Sequence, residues 1–237
     1  MTEEEWLEDL DLRSVHHLVG LGLATDRKLW LLSVGQCRCL WHLLDDWERE
    51  TVELAEQCAD GPGGRRKLEA RFHQVDDRPE PENGWWPYTR FCVKRAAHTE
   101  RLVKKGGYES WQGVSEEDEV GTTGRASLVG PVNSFASSAE YYAGGDSFAM
   151  QQRIHGVFRD VFGNPFRPVA PDPKWLTGPV RSLARTIYRS QAFERMPELA
   201  DALERAGCPS PDLIAHFREP GEHVRGCWAL DLLLGKR

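Results

Sequence analysis

No stretch of this 237-residue chain approaches the roughly 18 to 20 consecutive apolar residues that span a bilayer, so no membrane-crossing helix is expected. Cysteine is scarce. The six present (Cys37, Cys39, Cys58, Cys92, Cys208, Cys227) fall mostly within helical patterns, which argues against a disulfide scaffold and for free thiols in a reducing compartment. The first residues, Met1-Thr2-Glu3-Glu4-Glu5, are acidic where a secretion signal would be basic, and a cytoplasmic location is expected. Runs of alternating apolar and polar residues joined by hairpin turns are missing, which excludes a conventional sheet. Also missing are a phosphate loop, a nucleophile elbow, a zinc-protease helix and a dinucleotide fingerprint, so the balance leans away from an enzyme.

Basic charge is in deficit as well. The net charge of −7 opposes a protein that lives by non-specific binding to phosphate backbones. The deficit is uneven: residues 1–150 hold 17 basic and 27 acidic side chains, net −10, and residues 151–237 hold 13 and 10, net +3.

What is present reads as helix almost throughout. Thr2 and Glu5 have capping-box spacing for a first helix over 3–10, and Asp11 can cap a second containing Leu12, Val15, Leu18 and Val19. From Asp26 to Leu44 apolar residues surround most of the cylinder, as in a central helix. Asp45 or Asp46 opens another helix that Gly61-Pro62-Gly63-Gly64 stops, and Leu68, Phe72 and Val75 mark a short one after it. A loop over 76–87, anchored by Trp85 and Trp86, precedes a helix over 88–104. The segment 106–130, rich in glycine and carrying Glu116-Glu117-Asp118-Glu119, reads as a mobile surface loop. Asp146 caps a helix with the stripe Ile154, Val157, Phe158, Val161 and Phe162. Pro179, Pro197 and Pro211 then start three helices, and a last one runs from Trp228 to Leu234 before Gly235. The expected fold is all-α: packed helical hairpins with a mobile Gly/acidic loop in the middle. The regions are 1–105, a variable insert 106–147 and 148–237, together one compact domain.

The sharpest chemical pattern is Cys208, His216, His223 and Cys227, which supply the ligand types and number for a tetrahedral zinc. Their spacing fits no common zinc finger, and the same residues also suit buried packing and helix capping. Cys39 and His42, three apart on a buried-looking helix, would make a thiol–imidazole pair only in a more open setting, so core packing is the better reading.

Three C-terminal stretches carry a resemblance. They are Val161-Phe162-Gly163-Asn164-Pro165-Phe166-Arg167-Pro168-Val169, Pro197 through Cys208, and His223-Val224-Arg225-Gly226-Cys227-Trp228 with Asp231-Leu232-Leu233-Leu234-Gly235-Lys236. With Thr2-Glu3, Glu5-Trp6-Leu7, Asp26-Arg27-Lys28-Leu29 and Cys37-Arg38 followed by Leu40-Trp41-His42-Leu43-Leu44, they resemble the signature of a large bacterial protein family abundant in planctomycetes. That family has no assigned activity, so the resemblance implies a shared helical fold and no reaction. The stretch from Pro197 to Gly207 is also similar to short helical companion repeats of the same bacteria, which implies an interaction scaffold.

Phe166, Arg167, Trp175, Arg225 and Trp228 are of the types that dominate binding hot spots and form a candidate binding surface. Together these features predict a non-enzymatic helical module that binds another protein. The alternatives are a zinc protein, structural or hydrolytic, and an accessory subunit that touches nucleic acid through the basic C-terminal part.

Overall fold

The computed structural model describes residues 1–8, 17, 18, 20–61, 63–75, 77–79, 90, 93, 138 and 140–236. Most of the expected second helix near 11–19, most of the 76–87 loop, most of the 88–104 helix, the whole Glu116–Glu119 run and most of the 106–147 insert lie outside the described residues. Among the described residues the chain is all-α, with no strand. None of the described helices is long and apolar enough to cross a membrane. The chain divides into two compact units, Met1–His155 and Gly156–Arg237.

In the first unit, α1 (Glu3–Glu8) opens with a reciprocal cap: Thr2 N–H donates to Glu5 Oε2 at 2.7 Å and Glu5 N–H donates to Thr2 Oγ1 at 3.2 Å. Helix α2 (Asp26–Cys39), capped by Thr25, is buried on nearly all sides, as its composition requires. It ends five residues before the apolar run does, because residues 40–43 continue as turns in which the N–H groups of Leu40, Trp41 and Leu43 reach back three residues. Helix α3 (Asp46–Asp60) starts with a full capping box between Asp45 and Glu48. Arg38 of α2 holds the buried Glu56 of α3 with two bonds of 2.8 and 2.7 Å, a bidentate pairing that fixes the register of this hairpin. Helix α4 (Arg65–Gln74) packs on α3.

Helix α5 (Ser147–Phe162) begins where Asp146 Oδ1 accepts from the N–H groups of Phe148 and Ala149. Its last turns belong to the second unit, and Gly163 ends it with φ +66°. There follow α6 (Gly178–Ser190), a 3₁₀ turn (Phe193–Arg195), α7 (Met196–Arg205), α8 (Pro211–Arg218) and α9 (Trp228–Leu234). Prolines sit in the first turns of α6, α7 and α8, where a missing N–H costs nothing. Helices α7 and α8 form a hairpin, and α6 packs on α7 and α9. The core gathers Val180, Ala184 and Ile187 from α6, Leu199 and Leu203 from α7, Leu213 and Phe217 from α8, and Leu230 and Leu233 from α9. Each large side chain buried this fully contributes roughly 1.5–3 kcal/mol.

Candidate metal centre

Four segments of the second unit each deliver one side chain to a common buried point. Asp160 stands in the last turns of α5, His216 on α8, His223 in the loop after α8, and Cys227 at the N-cap of α9. Among the described residues, these four place one candidate ligand atom each within 4.8 Å of all the others. The side chains of Asp160, His216 and His223 are 4%, 15% and 8% exposed, and Cys227 is fully buried.

Asp160 is the hub. Its Oδ1 lies 2.7 Å from His223 Nδ1 and 3.2 Å from His216 Nε2, and its Oδ2 accepts from the Val224 N–H at 2.9 Å. Burial by itself would raise this carboxyl, but the hydrogen bonds and charges of His216 and His223 outweigh it and bring the pKa down to about 2. For His223 burial opposes the charged ring, while the bond to Asp160 and its negative charge prevail and raise the pKa above 6.5. The second ring nitrogen, Nε2, is buried without a well-formed hydrogen bond, although the Glu219 backbone bears on the ring. Cys227 responds in the other direction. Burial first, and the Asp160 carboxylate next, push its thiol well above the ordinary value, and the backbone N–H groups of Ala229 and Leu230 offset only part of that.

His216 is fixed from both edges. Its Nε2 lies 3.2 Å from Cys227 Sγ as well as from Asp160, and its Nδ1 accepts from the Trp228 indole N–H at 3.3 Å. The two histidine rings stand nearly perpendicular, with centroids 5.0 Å apart. Trp228 in turn rests on Gly163: a Cβ there would come within 2.9 Å of the indole, so only glycine fits both the positive φ and the contact.

The structure therefore brings together three of the four residues expected from sequence, His216, His223 and Cys227, with Asp160 as the fourth. Cys208 is not in the group. Its N–H bonds to the Leu203 carbonyl past the end of α7, and its side chain joins the hydrophobic core. Asp160 was not anticipated because no ligand spacing connects it to the others. The available signal was a carboxylate on the same helical stripe as Val157, Phe158 and Val161, all buried.

The candidate binding residues are placed separately. Trp175 is buried in the core, Trp228 belongs to the centre, and Arg225 lies over the Tyr188 ring at 5.1 Å. The N–H of Phe166 donates to Asn164 Oδ1, and the exposed Arg167 borders a shallow groove of about 310 Å³ with Trp175 and Ser210. Cys39 and His42 are not joined: the thiol donates to the Gly35 carbonyl, and His42 Nε2 lies 2.9 Å from Glu140.

The cluster can hold a metal ion through one carboxylate, two imidazoles and one thiolate. The chain matches no protein-family profile, no curated protein sequence and no solved structure.

Proposed function

We propose that the second unit binds zinc as a structural metal, and that the chain works as a zinc-braced, non-enzymatic interaction module. The observation that carries this reading is the buried convergence of Asp160, His216, His223 and Cys227. Tetrahedral zinc with nitrogen and oxygen ligands near 2.1 Å and sulfur near 2.3 Å needs ligand separations of about 3.4 Å for N/O pairs and about 3.6 Å for N/S pairs. The His216–Asp160 and His216–Cys227 distances, both 3.2 Å, are within a few tenths of these. The 2.7 Å His223–Asp160 pair must open, and the remaining pairs, all within 4.8 Å, must settle to these separations.

Charge supports the same reading. One carboxylate and one thiolate neutralise Zn²⁺, leaving a net-neutral group in a buried place, where an uncompensated charge would be costly. Four protein donors fill a tetrahedron and leave no position for water, which favours a structural over a hydrolytic metal.

Elemental analysis of the full chain purified after expression with added zinc tests this. About one zinc per chain is expected, falling to background in D160A/H223A; less than about 0.1 per chain in the wild type refutes the proposal.

A further inference from the structure

Helix α6 turns one face to the core through Val180, Ala184 and Ile187, and another to solvent. On the solvent side stand Arg181, Arg185 and Arg189, all exposed. Their four-residue spacing lines them up, each about 6 Å along the axis from the next. Like charges at this spacing destabilise a helix, so acidic neighbours would be expected to answer them. Among the described residues none does. Three exposed acids of the unit serve other arginines: Glu198 bonds Arg195 at 2.8 Å, and Asp201 and Glu204 bond Arg218 at 3.0 and 2.7 Å. Among the described residues the three guanidinium groups of α6 have no ion-pair or hydrogen-bond partner.

The hydroxyls between them narrow the partner. Thr186 Oγ1 donates to the Ser182 carbonyl at 3.0 Å and Ser190 Oγ donates to the Thr186 carbonyl at 2.8 Å, so both hydroxyl protons are turned into the helix. Apart from the exposed Ser182, the stripe presents charge in a line at a fixed pitch, with few of the mixed hydroxyl and amide donors that commonly cup phosphates. An acidic helix matches the stripe in pitch as well as in charge. Carboxylates every four residues repeat at the same 6 Å and can each take a guanidinium in two parallel bonds.

We infer that α6 docks an acidic helical segment of another protein, with Asp or Glu at four-residue intervals facing Arg181, Arg185 and Arg189. This names the partner chemistry of the interaction module proposed above and rests on that part of the reading; it does not depend on the metal.

The test uses the full chain and a labelled, alanine-rich helical peptide of about 20 residues carrying three glutamates at four-residue spacing. A control peptide has the same composition with the glutamates spread around the helix. By fluorescence anisotropy at low salt, the striped peptide should bind at least about 5-fold tighter than the control, and raising the salt should weaken it. R181E/R185E/R189E should lose at least about 10-fold, and R185Q alone part of that, with unchanged circular dichroism. Failure of the striped peptide to bind, equal binding of both peptides, or full affinity in the triple variant overturns the inference. So does tighter binding of a single-stranded oligonucleotide of similar length. Zinc content measured on the same samples separates failure of this surface from failure of the metal proposal.

Discussion

The indole N–H of Trp228 donates to Nδ1 of His216 at 3.3 Å, and that bond decides which edge of the imidazole carries a proton. An indole can only donate, so Nδ1 must accept, and the proton of the neutral ring sits on Nε2. It points between Asp160 and Cys227, the two anionic ligands of the proposed centre.

A metal bound at Nε2 needs that lone pair free and the proton moved to Nδ1, where it meets the Trp228 donor. W228F removes the conflict. Zinc affinity, measured by competition with a chromophoric chelator, should rise about 5-fold, the equivalent of one hydrogen bond of about 1 kcal/mol. Unchanged or weaker binding would show that Trp228 does not oppose the metal.

Stability should depend on pH with a bounded optimum. The Asp160 carboxyl, at about 2 in the fold against an ordinary 3.8, stabilises fully above about pH 4 and loses that contribution as pH falls toward 2. His223, raised above 6.5, stabilises below that value and loses its contribution as pH climbs through its folded pKa. The two contributions coincide between about pH 4 and 6.5. Urea unfolding in the presence of a chelator should show its highest midpoint there, with the acid limb amounting to about 2 kcal/mol. A D160N variant that kept both limbs would contradict this account.

The two C-terminal cysteines should behave oppositely. C227A is expected to abolish stoichiometric zinc, whereas C208A should keep about one zinc per chain and lose only core packing, on the order of 1 kcal/mol. If C208A lost the metal and C227A kept it, the ligand set would be wrong.

Gly163 is the support beneath the Trp228 ring. G163A forces a side chain into a left-handed backbone and against the indole, and should lower stability by about 2 kcal/mol in chemical denaturation. A loss within error of zero would mean that the indole shifts freely.

Much of this fold is legible from local chemistry. The caps at Thr2, Thr25, Asp45, Asp146 and Ser210 and the starts at Pro179, Pro197 and Pro211 are decided by backbone groups within four residues, so the sequence displays them. The end of α2 is not local in that sense. Leu40 and Leu44 are apolar because they are buried, and burial serves turns as well as helices, so the apolar run overstates the helix. His216, His223 and Cys227 are close enough in sequence to be grouped. Asp160 arrives from 63 residues before His223, brought in by the packing of α5, and no periodicity encodes that distance.

That separation has a consequence for how the unit comes apart. A metal shared by Asp160 and the residues after α8 would act as a clasp, closing most of the second unit into a ring. Closing a loop of that length restricts the unfolded chain by roughly 4 kcal/mol in the chain-entropy view used for disulfides. Helices α6 and α7 contribute no ligand, yet both lie inside the ring, so their unfolding would be coupled to the opening of a bond that neither of them makes.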